Sequence, residues 1–231
     1  MIQDINQQIN DDLGKIKTVK GAVIGRYTTE ESIDLLYEYD NLITELSNEY
    51  LIPKEMIQSI LIREMRCEDL RDDVADSLVM QQFAYYEELD RRKEFNSVQD
   101  DIIPYPKAPI GGRDDSSVGV AQIFAQTAIE SWNWCVINGV VEGDMLDYSD
   151  WRQRREVWKR LKNDEEYSIM FVAYVLMQEA GNAGLDRSYY AYSDEQKQLV
   201  LSLYNGTNHD ATVYGSQAYN CYKIFERYNY R

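Results

Sequence analysis

Apolar side chains recur at intervals of three and four residues through most of this chain, and this spacing limits its fold more than any other feature. In the segment IPKEMIQSILIREM, Ile57, Ile60 and Leu61 stand at i, i+3 and i+4. Glu64 follows at i+7 on the same face. This spacing is typical of a helix with one buried face, whereas a half-buried strand alternates apolar and polar residues. No alternating segment is longer than a few residues, so the sequence predicts a predominantly all-α fold.

Caps, prolines and glycines divide this pattern into helical segments. Thr28 or Thr29 is a suitable N-cap for the first helix, Pro53 suits a first helical position, and Ser149 or Asp150 can cap a basic helix. The predicted helical segments are 28–46, 51–67, 67–95, 120–137, 148–161, 163–184, 193–206 and 214–230. We expect 163–184, the most apolar segment, to be the central helix.

The chain of 231 residues is long enough for one large domain without disulfides. Residues 1–28 are polar and predict a loosely attached N-terminal arm, so the domain is expected to span 29–231. The segment 96–113 contains three of the four prolines and two adjacent glycines, which predicts a loop. This loop can border a cleft.

The charge and the few cysteines and histidines exclude several classes of function. Forty acidic residues against 24 basic ones give a net charge of −16, which disfavours nucleic-acid binding. Cys67, Cys135 and Cys221 have no CxxC spacing, so we expect buried free thiols. His209 is the one histidine, which argues against a His-based metal site. We expect no metal and no cofactor.

The first residues have neither a basic region nor an apolar stretch of the kind found in signal peptides, and no segment approaches the length of a membrane span. We therefore expect no membrane span. A precursor, a larger parent protein or a dedicated secretion machine could still deliver the chain to another compartment.

Glu64 is the first candidate catalytic residue. A carboxyl group among apolar side chains is partly desolvated, which raises its pKa and keeps the protonated form available as a general acid. Arg63 and Arg66 are close in sequence. A structural glutamate paired with one of these arginines is therefore the alternative.

The segment DDSSVGVAQIFAQTA is the second candidate. Asp114 and Asp115 precede Ser117 and Gly119, and Gln122 brings an amide that can both donate and accept hydrogen bonds. The glycine lets the backbone approach a ligand closely. The alternative is a polar loop in which one residue caps the next helix and Gln122 is merely exposed.

The third candidate is the segment LSLYNGTNHDATVYG. Tyr204 and Asn205 end an apolar run, which puts a phenol and an amide together at a helix terminus, and Tyr214 follows. Aromatic side chains with polar tips suit sugar rings as well as ordinary packing. These residues could therefore line a groove.

Taken in order, these segments resemble the lysozyme-like superfamily of lytic transglycosylases and goose-type lysozymes, over about residues 50–228. The resemblance rests on four segments, IPKEMIQSILIREM, SSVGVAQIFAQTA, NDEEYSIMFVAYVLMQ and LVLSLYNGTNHDATVYGSQAYNCYKIF. In that family a glutamate ends an apolar helix, a G-x-G-L-M-Q-like loop forms one wall, an N-I-x-x-G-x-x-Y-L-like helix follows, and an A-Y-N segment completes the groove.

The family roles carry over to residues that match its motifs. Glu64 matches the catalytic acid and base, Gly119 and Gln122 match the loop, and Tyr204 with Asn205 match the A-Y-N segment. Met65 stands where the family usually has serine. The spacing from Glu64 to the loop exceeds the usual one, which implies an insertion at about 68–113.

The resemblance implies a bacteriolytic muramidase or lytic transglycosylase that cleaves the β-1,4 bond between N-acetylmuramic acid and N-acetylglucosamine in the glycan strands of peptidoglycan. Such an enzyme acts at the bacterial cell wall, in the periplasm or outside the cell. If Asp114 or Asp115 holds a water about 6.5–9.5 Å from the carboxyl group of Glu64, the enzyme is an inverting hydrolase. Otherwise Glu64 acts alone and the product is an anhydromuramic end.

Two alternatives stay open. One is a lysozyme-like binding or inhibitor module without turnover, whose acidic surface would suit a basic protein partner. The other is a chitinase or chitosanase of the same superfamily.

Overall fold

A computed structural model describes residues 2–16, 26–67, 70–94, 107–206 and 209–229, and this part of the chain is predominantly helical. No strand forms within the described residues, where one isolated bridge pairs Val118 with Ile123. The all-α prediction is therefore confirmed. The helices are α1 (Ile2–Gly14), α2 (Thr29–Glu38), α3 (Asp40–Tyr50), α4 (Lys54–Met65), α5 (Leu70–Glu94), α6 (Ala125–Ile137), α7 (Trp151–Asn163), α8 (Glu165–Asn182), α9 (Asp194–Leu203) and α10 (His209–Asn229), with a short 3₁₀ turn at Tyr189–Ala191.

Helices α4 and α8 form the centre of the molecule. Helix α8 carries apolar residues on all sides, and it packs against α3, α4, α6, α7 and α9. Helix α4 is buried along nearly its whole length, between α10 on one side and α2 and α3 on another. A helix that is apolar all round belongs in a core, so the expected central position of 163–184 is confirmed.

The predicted helix over 28–46 is divided in two. Thr28 caps α2 in a capping box with Glu31, as its sequence predicts. The chain then turns at Tyr39, whose phenol donates a hydrogen bond of 2.6 Å to Glu165 Oε2 at the start of α8. This contact fixes the break between α2 and α3 against the central helix.

The N-terminal segment differs from the loosely attached arm that we expected. Within it, α1 buries Ile9 and Leu13, which are spaced i, i+4 and join the main core. Asp12 forms an ion pair of 3.0 Å with Arg227 of α10, and Arg66 donates to the carbonyl of Leu13. Residues 17–25 lie outside the described part of the chain. The segment has few apolar residues, but two of them, Ile9 and Leu13, are enough to anchor α1 to the core.

The predicted insertion contains α5, which docks on α7. Ser116 Oγ donates to Asp76 of α5 at 2.8 Å and accepts from Trp158 Nε1 of α7 at 3.0 Å. Phe83 of α5 packs edge-on against the same indole. Residues 68–69 and 95–106, including most of the predicted proline-rich loop, lie outside the described ranges, and 107–113 has no regular secondary structure.

Helix α7 is the basic helix of the sequence, and Asp150 caps it as predicted. Three of its cations, Arg152, Arg155 and Lys162, form ion pairs with carboxylates of α5. Arg152 lies 2.6 Å from Asp90, and Arg155 lies 3.2 Å from Glu87. Two rows of opposite charge therefore line the interface between α5 and α7.

All three cysteines are buried free thiols, as expected. Burial raises the pKa of Cys135 and of Cys221 to about 12, which suits packing rather than thiolate chemistry. Among the described residues, no helix combines the length and the apolar character that crossing a membrane requires.

Candidate active site

A pocket of about 280 Å³ lies where α4, α6, α8 and α9 converge. It brings together Glu64, Gln122, Tyr204 and Asn205, four candidates that come from three distant parts of the sequence. The remaining lining residues are Ile123, Phe124, Thr127, Glu130, Gln178, Glu179, Leu203 and Gly206. The pocket therefore combines carboxyl groups, amides and a phenol with apolar side chains.

Glu64 stands in the last turn of α4, and only 9% of it is exposed. Its neighbours Ile60, Leu61 and Met65 are fully buried, so the carboxyl group reaches the pocket from the core. Burial, together with the nearby charge of Glu64, raises the pKa of the phenols of Tyr204 and Tyr214 well above the usual range. The site is thus a desolvated carboxyl group beside two neutral phenols.

Tyr204 and Tyr214 form a stack at the pocket wall. Their ring centroids are 6.3 Å apart with an interplanar angle of 12°. Tyr204 lines the pocket, whereas Tyr214 lies behind it and carries the guanidinium of Arg63 over its ring at 4.5 Å. Arg63 is therefore held on an aromatic face next to Glu64.

The segment from Val118 to Ile123 is a tight turn, which we call the wall turn. Its ends are joined by two backbone hydrogen bonds of 3.1 Å between Val118 and Ile123. Gly119 and Gln122 both have positive φ, of 73° and 49°. Gln122 is a non-glycine residue in this strained region, and such residues cluster at functional sites.

The side chain of Gln122 is held by the wall turn itself. Its Nε2 donates to the carbonyl of Gly119 at 3.0 Å, and its Oε1 accepts from Ser117 Oγ at 3.3 Å. One amide N–H and one lone pair stay available for a ligand. Ser117 therefore orients the amide of Gln122.

Gly119 is a packing position. An added Cβ would come within 2.0 Å of the carbonyl oxygen of Leu161 and 2.8 Å of Ser168 Oγ. Tyr204 reinforces the same turn, because its hydroxyl donates to the carbonyl of Ala121 at 2.8 Å. The end of α9 and the wall turn are thus tied together across the pocket.

Asp114 and Asp115, the predicted second carboxylates, do not line this pocket. Asp115 Oδ1 accepts from the backbone N–H groups of Ser116 and Ala125 at 2.9 and 3.0 Å, and Oδ2 accepts from that of Gln126 at 2.8 Å. This carboxylate therefore satisfies the first N–H groups of α6, as a helix cap does. Burial nevertheless raises its pKa.

Asp114 is engaged on the other side of the chain. Its Oδ1 accepts from the hydroxyl of Tyr86 at 2.6 Å and lies 3.3 Å from the guanidinium of Arg154. Arg154 is buried, so Asp114 is the carboxylate that balances its charge. Both aspartates precede the wall turn closely in the sequence. In the structure, however, Asp115 contacts α6, and Asp114 contacts α5 and α7.

Besides Glu64, two further carboxylates line the pocket, and the sequence did not suggest either as a site residue. Glu130 projects from α6, and Glu179 projects from α8. The available signal was the pair Gln178 and Glu179, which interrupts the most apolar segment of the chain near its end. A polar pair in an otherwise buried helix indicates a surface that faces a cavity.

A second pocket, of about 470 Å³, lies between α5 and α7. Glu87, Asp90, Arg152 and Arg155 line it, and they are the residues already paired with one another. A ligand there would have to replace existing ion pairs. The smaller pocket at Glu64 is therefore the better candidate for chemistry.

Comparisons with protein-family models, with curated proteins and with solved structures found no match for this chain. The proposed function therefore rests on the pocket and on the order of the motifs that supply its residues.

Proposed function

We propose that this protein is a peptidoglycan-cleaving glycosidase that acts at the bacterial cell wall, on the β-1,4 bond between N-acetylmuramic acid and N-acetylglucosamine. The observation that carries the proposal is the pocket at Glu64. Its lining includes a nearly buried glutamate at the end of an apolar helix, an amide from the wall turn and a tyrosine–asparagine pair after α9. These are the elements that the resemblance assigns to the catalytic groove.

In the proposed mechanism, Glu64 protonates the oxygen that leaves the glycosidic bond. Its surroundings suit this task, since Glu64 is nearly buried in the last turn of α4 and the neighbouring tyrosines stay neutral. Proton transfer by a positioned carboxyl group contributes about 10²–10⁴-fold to the rate.

The other pocket residues suit recognition of an N-acetylated sugar. The amides of Gln122, Gln178 and Asn205 can donate to and accept from hydroxyl and acetamido groups. Phe124 stands in the pocket lining with 47% of its surface exposed, which suits stacking on a sugar ring. A site with several amides and an exposed aromatic ring suits ligands that are polar at their edges and apolar on their faces.

The test is digestion of purified sacculi, with release of soluble fragments measured by mass spectrometry. Glu64→Gln is expected to lose about 10²–10⁴-fold in rate. Glu55→Gln is the matched control, because Glu55 is also a buried glutamate of α4 but accepts a hydrogen bond of 2.9 Å from Asn229, outside the pocket. Glu55→Gln is expected to cleave at the rate of the unaltered protein.

Chitin and chitosan digested alongside the sacculi distinguish the substrates. Faster cleavage of chitin or chitosan would replace the peptidoglycan assignment with that of a chitinase or chitosanase. A folded protein without activity on any of the three polymers would contradict the proposed enzyme and favour a binding module.

A further inference from the structure

We infer that Glu179 is the second catalytic carboxylate of this site, which holds and deprotonates the attacking water, and that the protein is therefore an inverting hydrolase. The inference rests on the proposed function and adds to it a residue and a reaction outcome. The family resemblance assigns no role to Glu179.

The carboxyl groups of Glu64 and Glu179 reach the pocket from different helices. Glu64 enters it from the end of α4, and Glu179 enters it from α8. Inverting glycosidases carry their two carboxyl groups about 6.5–9.5 Å apart, with space between them for a sugar ring and a water. Glu64 and Glu179 reach one pocket from separate helices, which places a carboxyl group on each of two walls that a bound sugar ring and a water would lie between.

The two aspartates that the sequence suggested for this role, Asp114 and Asp115, are engaged outside the pocket. Both oxygens of Asp115 accept backbone N–H groups at the start of α6, and Asp114 balances the buried guanidinium of Arg154. Neither is a pocket-lining residue, whereas Glu179 is.

Glu179 and Glu130, the two candidates for the base in this pocket, differ in exposure. Glu130 is exposed and accepts the side-chain amide of Gln126 at 2.8 Å. Glu179 is half-buried, and burial together with the negative charge of Glu130 raises its pKa. A carboxylate with a raised pKa accepts a proton from water more readily, so Glu179 is the better base.

The oxygen of a water molecule attacks the anomeric carbon of the muramic acid unit, and Glu179 takes one of its protons. The bond from that carbon to the bridging oxygen breaks, and the bridging oxygen keeps the electron pair and takes the proton of Glu64. The products are a free hydroxyl group on one fragment and a hemiacetal of inverted, α configuration on the other. Exchange with solvent returns both carboxyl groups to their starting states.

The first measurement is the chemistry of the new ends from purified sacculi. Mass spectrometry is expected to find hydrated reducing ends, and proton NMR recorded before mutarotation is expected to find the α anomer. Anhydromuramic ends would overturn the inference, since Glu64 would then act without a second carboxylate. That result would leave the proposed cleavage of peptidoglycan intact.

The second measurement compares Glu179→Gln with Glu130→Gln, a matched change in the other carboxylate of the same pocket. Glu179→Gln is expected to lose about 10²–10⁴-fold in hydrolysis. Glu130→Gln is expected to lose less than about tenfold, well below the loss from removing a general base, because Glu130 acts on the reaction only through the pKa of Glu179. A Glu179→Gln rate close to that of the unaltered protein, or an equal loss in both variants, would overturn the assignment.

Rescue by azide separates a catalytic role from a structural one. Azide is an anionic nucleophile of small size that needs no base, so it can replace water when the base is removed. Glu179→Ala with sodium azide is expected to regain cleavage and to yield an α-glycosyl azide, whereas Glu130→Ala is expected to gain nothing. Glu179→Ala that stays folded by circular dichroism but shows no rescue would overturn the inference.

Discussion

Replacing Gly119 by alanine tests how the wall turn is built. Gly119 has φ of 73°, and an added Cβ would come within 2.0 Å of the carbonyl oxygen of Leu161. Gly184 is the matched control, because it has nearly the same φ of 71° but no atom within 4 Å of the added Cβ. Both variants carry the backbone strain, and only Gly119→Ala adds the steric clash.

The magnitudes follow from these two contributions. A left-handed non-glycine residue costs about 1–2 kcal/mol, and the smaller entropy of the unfolded chain returns about 0.4–1 kcal/mol. Gly184→Ala should therefore lower the free energy of unfolding by about 1 kcal/mol. Gly119→Ala adds an overpacking cost of about 1–3 kcal/mol, for a total of about 2–4 kcal/mol.

Thermal unfolding followed by circular dichroism measures the difference. For a chain of this size 1 kcal/mol corresponds to about 2–4 °C, so we expect a decrease in Tm of about 3 °C for Gly184→Ala and about 10 °C for Gly119→Ala. The Gly119→Ala variant should also cleave sacculi more slowly, because the turn that carries Gln122 must shift. Equal decreases in Tm for the two variants would refute the packing argument.

Three further predictions concern the surroundings of the pocket. Asp115→Ala should lower the free energy of unfolding by about 1–2 kcal/mol in urea denaturation, because α6 loses its cap. The variant should keep most of its cleavage activity. An inactive but folded variant would show that Asp115 takes part in the reaction. Tyr204→Phe should cost about 1 kcal/mol in the same assay, since the carbonyl of Ala121 loses its hydrogen bond, and an unchanged midpoint would contradict that contact. Glu179→Gln should raise Tm at pH 7, because burial raises the pKa of Glu179 in the folded state and its ionisation therefore opposes folding. The stability that comes with protonated Glu179 is fully present below the unfolded pKa of about 4.3 and is lost as the pH rises through the folded pKa. The gain in Tm for Glu179→Gln should therefore vanish below about pH 4. A gain in Tm that persists below that pH would have another cause.

The sequence predicted much of the fold because its local patterns are strong. The capping box of Thr28 and Glu31 and the cap at Asp150 are short-range features that the structure keeps. The burial of Glu64 followed from its spacing from apolar residues of α4. Helical periodicity identifies the buried face of a helix, and the position of Glu64 on that face was enough to predict its burial.

The parts that could not be predicted depend on the tertiary structure. The predicted helix over 120–137 begins five residues late, at Ala125, because the wall turn occupies its first residues and holds Gln122 at a positive φ. Periodicity also cannot tell which helices become neighbours. Glu130 and Glu179 lie on separate helices 49 residues apart, and only the packing of α6 against α8 brings them to one pocket.

The most direct test of the proposed function is a crystal structure of Glu64→Gln with a tetrasaccharide of alternating N-acetylglucosamine and N-acetylmuramic acid. We expect the glycan to lie between Gln122 and Tyr204, with the bridging oxygen of the scissile bond within hydrogen-bond distance of the amide at position 64. A water on the opposite face of the ring should contact Glu179. A glycan bound elsewhere, or no bound glycan at millimolar concentration in a folded protein, would contradict the proposal that this pocket is the active site of a peptidoglycan glycosidase.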